Sequence, residues 1–323
     1  MPLRPGPVYV EILRAADSVP RGKLTTFGEI ARTLGDYRAA KAVAEVISIM
    51  GRAYGVPWHR VVSSRGEILR GAEEFLREEG VVVKGGRVVD LTRRLVEAGE
   101  LEARPILAEM RRTQRILAER VILEDEVERP ELVAGADVAY RWERDEGGLP
   151  VEVARGAVVV VDTDLRVVDG SIQISPAVMP YVPTYLGFRE FPALARALSR
   201  LSFDVAMMDG HGIAHPVFFG EASHVGVCLD IPALGVAKRR LVGKIRGEEL
   251  IYMTRQVGWA LPVKPEGRPV YVSPGHKVSL EGSAEVVKKF RGGTRIPAPV
   301  RLAHKLAEFP KPGEGRFGEA SSL

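Results

Sequence analysis

The sequence predicts an α/β protein of two domains, because two stretches of different pattern are separated by a short, highly charged segment. The longer, later stretch alternates apolar runs that favour strands with amphipathic runs that favour helices. The earlier stretch combines a pair of short amphipathic helices with a glycine-rich hairpin signal. With 323 residues, the chain is long enough for each domain to have its own hydrophobic core.

The boundary between the domains follows VVVKGGRVVDL, where Gly85 and Gly86 predict the turn of a hairpin. The charged run TRRLVEAGELEARP comes next, and a helix between Ile106 and Val121 then begins the second domain. The C-terminal PKPGEGRFGEASSL is rich in Pro, Gly and Ser, so we expect it to be disordered. The predicted organisation is a first domain at residues 1–91, a linker at 92–103, a second domain at 104–309 and a tail at 310–323.

The overall charge suits a polyanionic partner such as nucleic acid. Lysine and arginine total 46 against 42 acidic residues, which gives a net charge of +4 and an isoelectric point near 9.2. Because this basic excess is small, shape and base recognition must contribute to binding as well as charge.

The use of single residue types sets further limits. Cys228 is the only cysteine, which excludes an internal disulfide and a thiolate zinc cluster. The apolar HVGVCLDIP around it predicts a strand with Cys228 in the core. There is no apolar run of 18 residues and no signal-peptide pattern, so we expect a cytoplasmic, nucleoid-associated protein that does not bind membranes. The chain contains no Asn and only three Gln, which favours a thermophilic source.

An acidic residue ends an apolar run in VAMMDGHGIAHP, which begins at Val205. Asp209 is expected at the end of a strand, and Gly210 beside it would let a backbone or a substrate phosphate come close. Taken alone, an Asp-Gly pair after a strand more often marks an ordinary turn. Two further acids make a metal site the stronger interpretation.

Asp137 lies within a strand predicted from Leu132 to Ala139, and Glu190 starts a helical run that extends to Leu201. Singly, each could be a solvated side chain, at a sheet edge or in a first helical turn. However, these acids and Lys238 fall at strand ends or helix starts of one α/β pattern, which can gather oxygen ligands around a hard cation. The chemistry expected there is in-line attack of water on a phosphodiester.

From about Arg104 to Ala307 the chain resembles endonuclease V, a deoxyinosine-specific nuclease with a ribonuclease H-like fold. The resemblance is carried by GADVAY around Asp137, PYVP and GFREFP after Met179, FDVAMMDGHGIAHP with FGEASHVGV, and IPALGVAKRRLVGK. YVSPGHKVSL and RIPAPVRLAHKLA are similar to the family's C-terminal part. The fold implied for this domain is a mixed sheet with helices.

This resemblance also implies roles for individual residues. Asp137 and Asp209 would be metal ligands, and Glu190 would complete the acidic site. Mg²⁺ would be the cofactor, with Mn²⁺ as a substitute, and DNA would be cut at the second phosphodiester bond 3′ to the deoxyinosine. The residues implied to support catalysis near the scissile phosphate are Asp204, His215 and Lys238.

Tyr181, in the PYVP segment, matches the family's wedge, which fills the gap left by a flipped base. Pro180 and Pro183 restrict the backbone around Tyr181 and Val182, so the aromatic ring can insert between bases at little ordering cost. The alternative is that Tyr181 is an aromatic residue buried in a loop.

The first domain has a helix-turn-helix pattern. Thr25 or Thr26 is expected to cap an amphipathic helix in GKLTTFGEIARTLG, and DYRAAKAVAEVISIM predicts a second helix after a Gly-Asp turn. Basic side chains on this pair could face DNA phosphates, although similar helix pairs occur in proteins that never bind DNA.

The segment VPWHRVVSSRGEILRG, in a region from about Val8 to Gly80, resembles the active-site segment of alkylguanine-DNA alkyltransferases. Those enzymes have Pro-Cys-His-Arg-Val there, whereas this chain has Trp58 in place of the Cys that accepts the alkyl group. An indole is not a usable nucleophile, so no alkyl transfer is expected. The pattern is similar to alkyltransferase-like proteins, which bind and flip alkylated guanine without repairing it.

The same resemblance implies that Arg38 is the finger that enters the base stack and that His59 forms a hydrogen bond with Glu79. Two positions depart from the family: Phe27 replaces a Tyr that contacts phosphate, and the Asn before the active-site segment is absent. The alternative is a domain that only tethers the nuclease to DNA. The residues implied to contact DNA in this domain are Phe27, Arg38, Trp58, His59 and Arg60.

Together these patterns predict a monomeric DNA-repair endonuclease fused to a noncatalytic module that binds alkylated guanine. Its partners would be single- or double-stranded DNA with deaminated or alkylated bases, and downstream repair proteins. Two alternatives stay open. The first is a nonenzymatic damage sensor, against which the intact Asp137, Glu190 and Asp209 argue. The second is an inosine-directed ribonuclease, since recognition of a 2′-hydroxyl leaves no sequence pattern.

Overall fold

A computed structural model describes residues 4–262 and 267–310 and divides the chain into two compact units. Most of the predicted tail therefore lies outside the described residues. The first unit comprises the described residues up to Arg112 together with Trp142–Glu152 and Pro176–Pro183. The second comprises Thr113–Arg141, Val153–Ser175 and the described residues from Thr184 onward.

The first unit is mainly helical, with two very short sheets. Strand β1 pairs with β2 in parallel, and β3 with β4 in antiparallel. The strands are β1 Thr25–Thr26, β2 Val61–Val62, β3 Val83–Lys84 and β4 Arg87–Val88. The helices that begin here are α1 Pro7–Asp17, α2 Phe27–Thr33, α3 Ala40–Met50, α4 Glu73–Glu78, α5 Leu91–Arg94 and α6 Ile106–Ala118.

Several local predictions for this unit are confirmed. The side chain of Thr26 accepts a hydrogen bond from the backbone N–H of Glu29 at 3.1 Å, so it caps α2 as expected. Gly85 and Gly86 have φ values of +54° and +74° and form the predicted hairpin turn between β3 and β4. The predicted helix after the linker is α6, and it begins at Ile106.

Within the described residues, the second unit is built on a nine-stranded sheet in the order β10-β11-β12-β13-β9-β8-β5-β6-β7. Residues 142–144 at the end of β5 and residues 150–152 at the start of β6 are assigned to the first unit. The strands are β5 Val133–Arg144, β6 Pro150–Val161, β7 Val167–Pro176, β8 Val205–Met208, β9 Ala233–Ala237, β10 Lys244–Arg246, β11 Glu249–Tyr252, β12 Arg255–Leu261 and β13 Val270–His276.

Helices cover both faces of this sheet. One apolar layer joins side chains of β5, β8 and β9 to α7 Leu186–Leu198 and α8 Glu221–Leu229. The opposite layer joins the alternate side chains of the same strands to α9 Leu280–Lys289 and α10 Ala298–Ala307. Because β5, β8 and β9 are central and parallel, they are buried on both faces where they pair. Strands β8 and β9 end close together, whereas β5 continues past them to Arg144. The predicted α/β class, with a small helical domain and a mixed-sheet domain, is confirmed.

Two local predictions are corrected. Cys228 lies near the end of helix α8 and is exposed, whereas we predicted a buried strand residue. The alternating valines around Gly226 are typical of strands, but burial against the sheet determines the helix at this position. Glu190 lies in the second turn of α7, not at its start, since the helix already begins at Leu186. No helix in the described ranges is long and apolar enough to cross a membrane.

Candidate functional site

Two acids meet where the pairing between β5 and β8 ends: Asp209 follows β8, whereas Asp137 lies within β5, which continues to Arg144. Ala136 of β5 is the register partner of Met208 at the end of β8, so Asp137 and Asp209 form the next pair along these strands. The backbone N–H of Asp209 donates to the carbonyl of Ala136 at 3.1 Å, which extends the pairing by one residue. Burial raises the pKa of Asp137, and the negative charge of Asp209 raises it further. The fold therefore gathers two carboxylates from distant parts of the chain.

His304 joins these acids from helix α10. Its Nδ1 donates to Oδ2 of Asp137 at 2.5 Å, and this bond partly offsets the rise in the pKa of Asp137. Helix α10 comes this close because Gly135 of β5 has no side chain: a Cβ there would collide with the backbone of Pro299. Potential ligand atoms of Asp137, Asp209 and His304 all lie within 4.8 Å of one another.

Lys238 supplies positive charge on the other side of the cluster. It directly follows β9, and its Nζ donates to Oδ2 of Asp209 at 2.5 Å. The Lys238 side chain is 42% exposed, whereas that of Asp209 is 13% exposed. The ammonium group thus lies between a buried acid and solvent, where a phosphate could reach it.

Two glutamates complete the cluster from the opposite helix layer. Glu190 of α7 is 6% exposed and Glu221, the first residue of α8, is 2% exposed. Burial raises the pKa of Glu190 well above its ordinary value, and the neighbouring Glu221 raises it further. Burial also raises the pKa of Glu221, to about 8, although its hydrogen bond with Glu190 partly opposes the shift. Without a cation, this pair is expected to retain a proton at neutral pH.

The donor set fits a hard divalent cation. Asp137, Asp209, Glu190 and Glu221 all offer carboxylate oxygens, the ligands that Mg²⁺ and Mn²⁺ prefer. The acidic groups repel one another in the absence of positive charge, as the raised pKa values indicate. His304 is better suited to hold Asp137 in place than to bind Mg²⁺, which rarely takes nitrogen ligands.

Asp204, which is implied to support catalysis, lies away from the acidic cluster. Oδ2 of Asp204 accepts hydrogen bonds from the backbone N–H groups of Glu131 and Leu132, at 2.7 and 2.9 Å. Asp204 precedes β8, whereas Asp209 follows it, so the two acids are at opposite ends of the strand. This location suits a role in fixing the entry to β5 and does not suit contact with a phosphate at the acidic cluster.

His215 is 2% exposed and anchors the backbone after the PYVP segment. Its Nε2 donates to the carbonyl of Thr184 at 3.0 Å, while Nδ1 accepts from the N–H of Val217 at 3.4 Å. The same carbonyl accepts from Nε2 of Gln114 at 2.9 Å. Thr184 has a φ of +74°, which is strained for a β-branched residue and needs such support. His215 therefore determines the path of the chain next to Pro183.

The PYVP segment exposes only part of its apolar surface. Val182 is 1% exposed and Pro180 is buried, whereas Tyr181 is 58% exposed and Pro183 is also exposed. Two buried residues thus anchor the segment and leave the ring of Tyr181 in solvent. This exposure argues against the alternative of a buried loop aromatic and is the arrangement that a wedge requires.

Trp58 lies in a small aromatic cluster of the first unit. It is 8% exposed, and Phe75 meets its ring edge-on at 5.8 Å between ring centroids. The guanidinium of Arg52 covers the indole ring, 4.6 Å from its centroid. His59 stacks on Phe75 at 5.3 Å. A base that reached Trp58 would therefore meet a ring already packed against a cation.

The predicted bond between His59 and Glu79 is confirmed, and Arg60 shares the same carboxylate. Nε2 of His59 donates to Glu79 at 3.0 Å, and Nη2 of Arg60 donates at 2.8 Å. The backbone N–H of Gly22 also donates to Glu79, at 3.0 Å. Nη1 of Arg60 donates to the carbonyl of Val19. Both ends of this guanidinium are therefore bonded within the unit, and it does not extend into solvent.

Replacing Glu79 by Gln is expected to lower the free energy of unfolding at pH 7 by about 3 kcal/mol. Burial raises the pKa of Glu79, but the bonds from Arg60, His59 and Gly22 outweigh it and bring the pKa to about 2. Since the folded pKa lies below the unfolded one, this stabilisation is complete above the unfolded value, near 4.5, and is lost as the pH falls toward 2.

Urea denaturation between pH 2 and pH 7 measures this effect, with Glu78→Gln as the matched control because Glu78 is exposed. The difference between Glu79→Gln and the unaltered protein should shrink steadily below pH 4.5. A difference that is independent of pH would contradict the assignment.

Arg38 is held by a neighbouring acid. Its Nε and Nη2 donate to Asp36 at 2.9 and 2.6 Å, and Arg111 approaches the same carboxylate at 3.7 Å. Phe27 begins α2 and is half-buried. A finger role for Arg38 would require its guanidinium to leave Asp36.

Sequence reasoning missed two residues of the acidic cluster. His304 lies in RLAHKLA, whose pattern indicates an amphipathic helix and nothing more. Glu221 follows Gly220 in GEASHVGV, where an acid in the first turn of a helix is the ordinary expectation. Two glycines next to the acids could have indicated these neighbours. Gly135 leaves room for helix α10, which carries His304, and Gly210 leaves room for the side chain of Glu221.

Two parts of the chain match known protein families. Residues 115–305 match the family model of endonuclease V, and residues 7–82 match the model of the 6-O-methylguanine DNA methyltransferase DNA-binding domain. Endonuclease V of Xanthomonas campestris pv. campestris is 43% identical over 213 residues, which cover 62% of this chain and 87% of that protein.

Solved structures are also similar to the second part of the chain. Endonuclease V from Streptomyces avermitilis is 35% identical, with a TM-score of 0.56, over 62% of this chain and 90% of that one. A variant of Ciona intestinalis endonuclease V, in complex with DNA containing an inosine followed by a ribo-adenosine, is 28% identical. Its TM-score is 0.55, over 62% of this chain and 95% of that one.

Both resemblances predicted from sequence motifs are thus confirmed, each in its own part of the chain. The endonuclease V model covers more than half of the residues, and the Xanthomonas relative is matched over most of its length. The chain belongs to the endonuclease V family of DNA-repair endonucleases, and it carries an alkyltransferase-type DNA-binding segment ahead of its nuclease domain.

Proposed function

We propose that this protein nicks DNA at the second phosphodiester bond 3′ to deoxyinosine, in a reaction that requires Mg²⁺ or Mn²⁺. The observation that carries the proposal is the meeting of Asp137, Glu190 and Asp209 with Lys238 at one edge of the sheet. Their carboxylates would hold the cation, which supplies Lewis-acid stabilisation of the charge that develops on the phosphate.

The protein's own groups would orient the reaction. Lys238, bonded to Asp209 and facing solvent, would donate to an oxygen of the scissile phosphate. His304 would keep Asp137 in a single orientation through its Nδ1 bond. His215 would act at a distance, by fixing the backbone at Thr184 directly after the wedge segment.

A nicking assay tests the proposal. Full-length protein is incubated with labelled duplexes that are identical except for a single deoxyinosine, with Mg²⁺, with Mn²⁺ and with excess EDTA. We expect one metal-dependent nick in the deoxyinosine strand. RNA of the same sequence with a single inosine is the parallel substrate: faster cleavage of RNA would favour the ribonuclease alternative, and no cleavage of either would favour the damage sensor.

Replacing Tyr181 by Ala is expected to reduce the preference for deoxyinosine over normal duplex by about tenfold. The exposed ring would stack in the gap left by a flipped base, and one base–aromatic stack contributes about 1–3 kcal/mol. The ratio of kcat/KM on the two duplexes measures this preference. Tyr181→Phe is the control, since it keeps the stacking face; a ratio unchanged in Tyr181→Ala would make the ring a surface residue without a role.

For the first domain, we propose binding and flipping of alkylated guanine without alkyl transfer. The motif around Trp58, its match to the methyltransferase DNA-binding model and the His59–Glu79 bond support this. Arg38 would leave Asp36 and enter the stack when the base leaves. The functional domains would be residues 1–91 and 104–309, and the protein would act as a monomer in the nucleoid of a thermophile.

Arg38→Ala is expected to lower the affinity of the full-length protein for duplex with O6-methylguanine several-fold, with little change for plain duplex. The reason is that an inserted side chain contributes only where a base has left the stack. Fluorescence anisotropy without divalent cations measures both affinities, and Arg93→Ala is the control because Arg93 is an exposed arginine on α5, outside the helix pair.

Equal affinity of the unaltered protein for the two duplexes would reduce the domain to a tether. Radiolabelled methyl-DNA tests the absence of transfer: label that appears on the protein, at Cys228 or elsewhere, would contradict a noncatalytic module.

A further inference from the structure

Glu221 is a buried acid whose charge no described donor satisfies. It is 2% exposed, and apart from the proton shared with Glu190, neither of its carboxylate oxygens has a hydrogen-bond partner in the described part of the chain. Its close neighbour Glu190 is another carboxyl group and can only share a proton with it. A buried carboxylate without such partners is costly to fold, so its presence calls for a specific interaction.

The carboxylate of Glu221 points at the acidic cluster. It lies against the backbone of Gly210, the residue directly after Asp209, where any Cβ would collide with its Oε2. The negative charges of Asp209 and Asp137 both raise the pKa of Glu221, so the three carboxylates are close enough to repel one another. Helix α8 therefore delivers a further acid to the edge of the sheet, and Gly210 provides the space for it.

The positive charges of the cluster do not reach this acid. Lys238 bonds Asp209, His304 bonds Asp137, and Arg189 acts on Glu190. Among the described residues, Glu221 has no hydrogen-bonded cation, and no positive charge lowers its pKa. The N-terminus of α8 favours a negative charge at its first residue only weakly. A divalent cation would satisfy the unpaired oxygens and remove the repulsion between the glutamates at once.

We propose that Glu221 is an additional carboxylate ligand of the divalent cation, so that four acids of this chain hold it. This inference rests on the metal dependence in the proposed function. It assigns to α8 a direct part in the site, beyond covering the sheet. Replacing Glu221 should therefore weaken cation binding itself, whatever the DNA substrate.

The test compares Glu221→Gln and Glu221→Leu with the unaltered full-length protein. Mn²⁺ affinity is measured without DNA, by electron paramagnetic resonance of free Mn²⁺, and melting temperatures are recorded with and without Mn²⁺. We expect the Kd for Mn²⁺ to rise about 10- to 100-fold in both variants. Without cation, both should melt at or above the temperature of the unaltered protein, because an unpaired buried acid is gone, and Mn²⁺ should raise their melting temperature less.

Glu11→Gln is the matched control, since Glu11 is a buried acid of α1 that already accepts a bond from the N–H of Arg104 at 3.0 Å. Its Mn²⁺ affinity should equal that of the unaltered protein. Unchanged Mn²⁺ affinity in the two Glu221 variants would overturn this inference alone, while failure of the unaltered protein to bind Mn²⁺ would overturn the proposed function with it. Should Glu221→Leu fail to fold, the nearly isosteric Glu221→Gln decides the question.

Discussion

Replacing Asp209 by Ala is expected to abolish nicking of deoxyinosine DNA, with a rate loss of at least about 10³-fold. Asp209 is largely buried beside Asp137 and bonds Lys238 at 2.5 Å. Its loss would remove a cation ligand and release the ammonium group proposed to contact the phosphate. Both changes act where charge develops during cleavage, so the rate should fall much more than the affinity for DNA.

Single-turnover cleavage and anisotropy on the same labelled duplex separate these two effects. Asp169→Ala is the control, because Asp169 is an exposed acid on β7, well away from the carboxyl edge of β8 in the sheet order. Asp137→Ala should behave like Asp209→Ala. Cleavage by Asp209→Ala at the rate of the unaltered protein, or cleavage in excess EDTA, would contradict a metal site at these residues.

Asp209 could be predicted because the end of a strand leaves a clear sequence signal. An apolar run that stops at Asp209 indicates the carboxyl end of a buried strand, and parallel pairing then brings Asp137 beside it. The same signal is ambiguous for Asp204. An acid next to a strand can lie at either end, and only the register shows that Asp204 precedes β8 and bonds the entry to β5.

Residues on helices were harder to predict, because their roles depend on how closely a helix approaches the sheet. His304 reaches Asp137 only because Gly135 lets α10 pack against β5. Glu221 depends in the same way on Gly210. Amphipathic periodicity identifies the buried face of a helix but carries no information on such distances.

In the first domain, the sequence identifies the substitution of Cys by Trp58 but not the environment of the ring. Arg52 lies over the indole and Phe75 contacts its edge. Both residues are outside PWHRV, so the motif does not predict these contacts. The His59–Glu79 bond could be predicted, since the family resemblance pairs these positions. The bond of Arg60 to the same carboxylate could not be predicted, because the resemblance implies no such contact.

Replacing His304 by Ala is expected to slow nicking by about 10- to 100-fold, with at most a small effect on Mn²⁺ affinity. The imidazole is 54% exposed, and its Nδ1 fixes the Oδ2 of Asp137 at 2.5 Å, so its removal frees the acid to rotate away from the cation. Loss of such an orienting partner typically costs 10- to 100-fold in activity or affinity. Since Mg²⁺ and Mn²⁺ prefer oxygen ligands, the loss should appear mainly in the rate.

Lys305→Ala is the matched control for this variant, because Lys305 is the next residue on α10 and is exposed. Single-turnover rates and Mn²⁺ titrations are measured on the same preparations. If the Kd for Mn²⁺ rises in parallel with the loss of rate, His304 is a ligand and not an orienting group. If neither changes, the bond to Asp137 has no part in cleavage, and α10 contributes only packing to the sheet. A fall in rate with the Kd preserved would mean that Asp137 requires a fixed orientation, which α10 provides only because Gly135 admits it.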